Sequence, residues 1–261
     1  MKQFVCMKWG SLYGAEYVNR LYAMVRANSF GEIRFVCMTD NVDGIRDEVE
    51  LMPCPDIALP SSHINRPWRK VSLFGDSSRL FGLAGDWLFL DLDLVVTGNL
   101  DDFFEYQPEE PFVVMVNWTQ PGSGIGNTSC YRFRVGSATE LLANLEHDPM
   151  PLIKKYTNSQ TYISKNIRRK AFWPDDWCAL FKVHCLPPWP RRFWMEPTIP
   201  QGAHIVAFPG NPNPHEALAG VWPENQKLKK IYKHVRPTRW IGRVWSDSEA
   251  HVVRMAREAK I

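Results

Sequence analysis

The sequence predicts an α/β protein with a mixed, mainly parallel sheet flanked by helices and a loop-rich basic C-terminal extension. Three observations carry that expectation. The chain opens strand–helix–strand within its first 40 residues, the start of a parallel sheet. A third apolar run, Trp87 to Leu90, is uninterrupted, as a central strand covered on both faces should be. From Gln226 to Ile261 ten Lys/Arg stand against three Asp/Glu, a net +7, while the preceding 225 residues sum to −4.

The elements follow in order. Phe4 to Met7 reads as the first strand, and its surroundings lack the long apolar region and small-residue cleavage site of a secretory signal. Tyr13 to Asn28 places Tyr17, Val18, Leu21, Met24 and Val25 at helical spacing. Ile33 to Met38 is the second strand, ending at Thr39-Asp40. Asn41 to Asn65, with Pro53, Pro55 and Pro60, reads as a loop-rich stretch. Pro67 to Leu83 reads as a helix with Pro in its first turn. After the third strand, Thr97 to Phe104 is a turn and short helix. Phe112 to Val116 and Ser129 to Val135 are strands on either side of a glycine-rich loop, Gln120 to Gly126. Ser137 to His147 and Pro151 to Ile167 read as helices. From Ala171 the chain is rich in Pro and Trp and loops over the sheet, with one strand at His204 to Phe208. Ser246-Asp247-Ser248-Glu249 reads as a capping box opening a last helix, lined by Val252, Met255, Ala256 and Ala259.

Composition sets limits. With 45% hydrophobic and 23% charged residues, disorder as the main state is excluded. No apolar run reaches the ~20 residues that a membrane-spanning helix needs. The six cysteines lack a CxxC spacing, and Cys6 and Cys37 sit in apolar runs where Cys acts as a small hydrophobe, which fits a reducing cytoplasm. Cys178, His184 and Cys185 are close in sequence but lack a fourth zinc ligand.

The third strand ends in two carboxylates one residue apart, Asp91 and Asp93, and apolar residues resume at Leu94. Carboxylates beside an apolar interior repel each other and lose hydration, which is costly unless a cation or hydrogen bonds compensate. A hard divalent cation shared with the phosphates of a nucleotide is the usual compensation. The pair therefore reads as a metal–diphosphate site, with a solvated strand-end turn as the alternative.

Here the chain resembles the nucleotide-sugar-dependent glycosyltransferases of the GT-A fold, in the group around glycosyltransferase family 8 and glycogenin. The resemblance rests on the strand, Asp91-Leu92-Asp93, and then Val95-Val96-Thr97-Gly98-Asn99-Leu100-Asp101-Asp102-Phe103, and it covers residues 1 to 210 in order. It implies a GT-A fold, which is Rossmann-like, and a metal-dependent enzyme. Such an enzyme moves a sugar from a nucleotide donor, with uridine diphosphate (UDP) as carrier, to a hydroxyl of a glycan or lipid-linked acceptor, with retention of anomeric configuration. It also implies a catalytic domain over 1–225, with a nucleotide-binding half to about 105 and an acceptor half from about 106, followed by the extension 226–261.

Residue by residue, the resemblance gives Asp93 to the Mn²⁺ or Mg²⁺ that bridges the donor diphosphate, and Asp91 to the ribose and the metal. Lys8, Trp9 and Tyr13 match the first strand and the loop beneath the nucleobase, as base and phosphate contacts. Asp40, at the carboxyl end of the second strand where open α/β sheets bind ligands, is a partner for uracil or ribose, or an ordinary turn residue. Lys70 corresponds to a basic residue near the donor phosphates. It is favoured over Arg69 because it should face inward with Val71, and a solvated helix start is its rival. Asn127-Thr128-Ser129 resembles a strand that lines the donor sugar, with Gly122 to Gly126 bringing backbone close to the ligand. Gln160 matches a residue near the anomeric carbon, but Ser159 stands where the family has Asp, so the donor sugar stays open. The family's late histidine, a third metal ligand, is missing before Gly210, which leaves His215 or His204. Asp175-Asp176-Trp177 would bind acceptor hydroxyls or cap a helix.

The basic tail, Lys227-Leu228-Lys229-Lys230-Ile231-Tyr232-Lys233-His234-Val235-Arg236 with Trp240 and Trp245, suggests an anionic membrane surface. Each Lys or Arg near an anionic leaflet contributes on the order of 1 kcal/mol, and Trp favours the interface. The expectation is a cytoplasmic protein, peripheral on the inner face of the membrane, with a solvated basic surface as the alternative. No nucleic-acid module is recognisable. Two other functions remain open. A nucleotidyltransferase would need a glycine-rich basic loop after the first strand, and Met7-Lys8-Trp9-Gly10-Ser11 is poor in both. A non-catalytic binding protein of the same fold would account for Ser159 and the missing histidine.

Overall fold

A computed structural model describes residues 1–226, 228–229 and 232–258. Lys227, Lys230 and Ile231 of the basic tail and Ala259 of the last helix lie outside the described residues. The strands are β1 (Lys2–Lys8), β2 (Ile33–Thr39), β3 (Glu50–Pro53), β4 (Asp86–Leu90), β5 (Leu94–Val96), β6 (Phe112–Val116), β7 (Gly126–Arg134), β8 (Ala171–Phe172), β9 (Cys178–Leu180) and β10 (Ile205–Ala207). The α-helices are α1 (Ala15–Ala27), α2 (Asp102–Glu105), α3 (Thr139–His147), α4 (Pro149–Tyr156), α5 (Ser159–Asn166), α6 (Pro214–Ala219) and α7 (Arg239–Glu258). The chain divides into two compact units. One comprises Met1–Val18, Gly31–Leu92 and Asp102–Trp173, the other Asn19–Phe30, Asp93–Asp101 and Pro174–Ile261.

The first unit is built on a seven-stranded sheet in the order β3-β2-β1-β4-β7-β6-β8. Only β7 runs antiparallel to its neighbours β4 and β6. β1, β2 and β4 become nearly solvent-free toward their carboxyl ends, as parallel strands covered on both faces require. The chain leaves β1 for β2 and β3 on one side and returns to β4 on the other. The carboxyl ends of β1 and β4 therefore flank the topological switch point, where such sheets bind ligands. One face carries an aromatic core of Phe74, Phe89, Phe112, Tyr131 and Phe133, with the Phe89 and Tyr131 rings stacked at 4.8 Å.

Arg132 of β7 is only 1% exposed. Its guanidinium donates to the carbonyls of Phe103, Tyr106 and Gln107 at 2.7, 2.8 and 2.6 Å, with longer bonds to Phe104 and Glu110. It thus gathers carbonyls of α2 and of the turn that follows it on one cation.

The second unit has its own three-stranded sheet, β5-β10-β9. β10 is antiparallel to β5 and parallel to β9. The region after Ala171 is therefore more regular than its Pro and Trp content suggested. Asp101 of this unit accepts from the Phe30 amide at 3.3 and 3.2 Å. All six cysteines are free and buried.

Four expectations are corrected. Pro67–Phe74 is a 3₁₀ segment rather than the start of a helix to Leu83, because nearly every side chain in it is buried and no polar face is left. Pro151 to Ile167 is two helices, α4 and α5, broken where Thr157 takes φ +65° and Asn158 caps the Thr161 amide. The last helix begins at Arg239, so Ser246 to Glu249 lie inside it, and Ser246 Oγ bonds back to the Arg243 carbonyl. Gly126 belongs to β7, and it is glycine because a Cβ there would meet Val114 Cγ1 at 2.5 Å; protein packing, rather than a ligand, sets that demand.

Candidate functional site

In the first unit the best-defined polar arrangement lies at the carboxyl end of β4. Asp91 directly follows the strand, and its amide donates to the Ser129 carbonyl of β7 at 2.9 Å, which fixes the backbone. The Lys70 Nζ approaches the two carboxylate oxygens of Asp91 at 2.5 and 2.6 Å. Lys70 is buried, and its ammonium also stands 5.3 Å from the centroid of the Phe89 ring. Burial and then the charge of Asp91 push the Tyr131 phenol well up, so it remains protonated.

Other residues of this unit line the same edge of the sheet. Lys8 is the last residue of β1 and is buried, its Nζ 3.4 Å from the Asn41 carbonyl. Asp40 is exposed after β2, and its Oδ2 accepts from the Gly10 amide at 2.9 Å, tying the β1–α1 loop to the end of β2. Trp9 packs partly buried against the core, and the Tyr13 ring meets that of Tyr17 at 4.8 Å with a 54° tilt. Thr39, Asp40, Asn41 and Met52 line a cavity of 530 Å³ at this edge. Asn127 is buried in β7, and its Oδ1 accepts from the Ser129 amide at 2.9 Å. Gln160 is half-buried in the first turn of α5, next to the fully buried Ser159. Ser159, Asn158, His63 and Trp68 line a second cavity, of 380 Å³.

Asp93 lies in the second unit and is half-buried. Its carbonyl accepts from the Phe208 amide at 3.1 Å. His215 is exposed in the first turn of α6. His204 directs Nδ1 at the Asn99 carbonyl, 2.5 Å away, and its ring lies 5.3 Å from that of Trp177. His184 accepts the Leu180 amide on Nδ1 at 2.9 Å, and burial lowers its proton affinity. Among the described residues no group of three or more His, Cys, Asp or Glu gathers as a metal centre. Asp91 in the first unit and Asp93 in the second each carry hard oxygen donors of the kind that divalent cations take. A carboxylate already bonded to one ammonium also keeps lone pairs for a cation.

No protein-family model matches the sequence, and no curated protein matches it. Solved structures do. A galactosyltransferase LgtC, crystallised with donor and acceptor sugar analogues, superposes with a TM-score of 0.57 at 11% identity over 94% of this chain and 95% of that one. An active-site mutant of LgtC gives 0.51 at 12% identity over 88% and 99%. The glycosyltransferase GlyE of Streptococcus pneumoniae TIGR4 gives 0.53 at 14% identity over 95% of this chain and 65% of that chain. The chain has the GT-A fold. At these identities the likeness is one of architecture, and within the GT-A frame the Lys70–Asp91 pair falls at the switch point of the sheet.

Two features escape sequence reading. Lys182 stands beside the Gly210 loop of the second unit and donates to the Pro209 carbonyl at 2.5 Å. The exposed tryptophans are also not those of the tail. Trp240 is buried, and Trp245 lies under the Arg20 guanidinium at 4.2 Å. Trp189 and Trp194 are instead 56% and 63% exposed on either side of Arg191 and Arg192. No described helix is long and apolar enough to cross a membrane.

Proposed function

We propose that this protein is a glycosyltransferase that moves a sugar from a nucleotide donor, UDP-linked, to a hydroxyl of a glycan or lipid-linked acceptor. The observation that carries this reading is the Lys70–Asp91 ion pair at the carboxyl end of β4, on a GT-A sheet. Asp40 and the cavity beside it receive the base and ribose. Lys8, Trp9 and Tyr13 close that side. Asn127, Gln160 and the cavity at Ser159 take the sugar, and the serine in place of a carboxylate shapes which sugar fits.

Asp91 and Asp93, with His215 as third ligand, are the residues that would hold Mn²⁺ or Mg²⁺. When bound, such a cation neutralises charge on the leaving diphosphate. Lys70 fixes the direction of the Asp91 carboxylate. No side chain of the candidate site is an evident covalent nucleophile, which favours a same-face displacement. The bond from the anomeric carbon to the phosphate oxygen breaks, the bond to the acceptor oxygen forms, and the departing phosphate oxygen takes the acceptor's proton. An inverted product seen by NMR would rule out this course.

A thermal-shift panel of nucleotide sugars with and without Mn²⁺ tests the assignment. The expected result is a Tm rise with UDP-sugars that grows with Mn²⁺. In Asp93→Asn the Mn²⁺-dependent part should disappear while the apo Tm stays within a few degrees. No shift and no donor hydrolysis with any nucleotide sugar would favour a binding protein instead.

The exposed Trp189 and Trp194 with Arg191 favour a peripheral seat on an anionic bilayer, where aromatic rings enter the interface and cations meet the headgroups. A Trp189→Ser, Trp194→Ser double variant is expected to bind phosphatidylglycerol-containing vesicles about tenfold more weakly in sedimentation. Equal binding by both proteins would refute that seat.

A further inference from the structure

The second unit contains a basic cavity that the residues discussed above leave unused. Its volume is 360 Å³, and Lys182, Asn211, Glu224 and Lys233 are among its walls. Lys182 belongs to a short π-turn, Phe181–Cys185, and its ammonium reaches back over the Gly210 loop. A Cβ on Gly210 would stand 3.8 Å from that nitrogen.

Asp93 and Lys182 are anchored to consecutive residues of one loop. The Asp93 carbonyl accepts from the Phe208 amide, and the Pro209 carbonyl accepts from Lys182. The Asp93 carboxylate is also close enough to act on Lys182 through space, favouring its charged form. Two effects oppose it. Burial is the larger and the neighbouring Lys233 ammonium the smaller, and together they lower the proton affinity of Lys182. Lys233 is already paired with Glu224. Lys182 is bonded to a neutral carbonyl, which uses one of its three N–H groups. A desolvated ammonium facing a second ammonium, with donors to spare, is relieved by an anion.

We infer that Lys182 is a diphosphate-binding residue of this protein, placing its ammonium against the donor's phosphate oxygens beside Asp93. This rests on the reading of a nucleoside diphosphate donor. It assigns the phosphate contact to a lysine on the π-turn, aimed by the Pro209 carbonyl of the loop at Gly210. As the sugar–phosphate bond breaks, negative charge grows on the β-phosphate, and a fixed ammonium there stabilises the leaving group without reorganising.

The test compares wild type, Lys182→Gln and Lys182→Arg, each titrated calorimetrically with UDP and with uridine in Mn²⁺. Glutamine can still donate to the Pro209 carbonyl, so the loop keeps its anchor while the charge is lost. The expected result is a loss of UDP affinity of about tenfold or more in Lys182→Gln, unchanged uridine affinity, and recovery in Lys182→Arg. UDP binding within twofold of wild type in Lys182→Gln would overturn the inference alone. Equal losses for UDP and uridine would also overturn it, since they would mark a structural role. Failure of the wild-type protein to bind UDP would instead remove the donor reading on which the inference stands.

Discussion

Replacing Arg132 with methionine is expected to lower the stability of the protein by about 3–5 kcal/mol, the range of severe core lesions. Arg132 is buried between β4 and β6, opposite Leu88 and Val113, so methionine fills much of its volume. What methionine cannot replace are the three short bonds to the carbonyls of Phe103, Tyr106 and Gln107. Each hydrogen bond to a buried charged group is worth about 1.5–3 kcal/mol, and the Gln107 carbonyl, which also accepts from the Glu110 amide at 3.0 Å, keeps the loss below the simple total. Lysine at 132 tests geometry against charge. It keeps a cation but offers one nitrogen where the guanidinium offers a fork. Lys is therefore expected to recover less than half of the loss. Denaturant unfolding measures both variants, and a loss under 1 kcal/mol for Arg132→Met would show that these carbonyls find other partners.

Arg132 also shows where sequence reading stops. β1, β2 and β4 were legible because each is a short apolar run bounded by turn residues, and that pattern depends on near neighbours. An arginine inside an apolar strand, in contrast, reads as a surface residue. Its partners lie more than twenty positions earlier, and only the fold brings their carbonyls together. The 3₁₀ segment Pro67–Phe74 was misread for a related reason. Trp68, Lys70, Val71, Ser72, Leu73 and Phe74 are all buried, so the apolar spacing that marks an amphipathic helix carries little information there. The start of α7 was hidden by a persuasive local signal. Ser246 and Glu249 have the spacing of a capping box, yet Trp240, Ile241, Ser248 and Val252 bury one continuous helical stripe across it. Asp91 and Asp93 could be singled out because two carboxylates next to an apolar run are anomalous within eleven residues. Lys182 could not, because its neighbour Pro209 is 27 positions away and nothing near it in sequence is unusual.

The Lys70→Met variant is expected to lose donor turnover by about 10²–10³-fold, the scale of removing a positioned charge from a water-poor site. Lys70 supplies the counter-charge to Asp91 at the end of an apolar strand. Its side chain and that of Asp91 are only 9% and 18% exposed, so solvent screens the pair little. Without the ammonium, Asp91 is a half-buried carboxylate beside Phe89 and Tyr131 with its counter-charge gone, and the cost of its lost hydration is no longer offset. Lys70→Arg retains the charge and is expected to keep turnover within about tenfold of wild type. Stability gives an independent reading. Removing one partner of a buried pair costs more than removing both, so Lys70→Met with Asp91→Asn should be more stable than Lys70→Met alone by about 1–2 kcal/mol. Turnover within threefold of wild type in Lys70→Met would show that the ion pair is structural, and the active site would then have to be sought away from the end of β4.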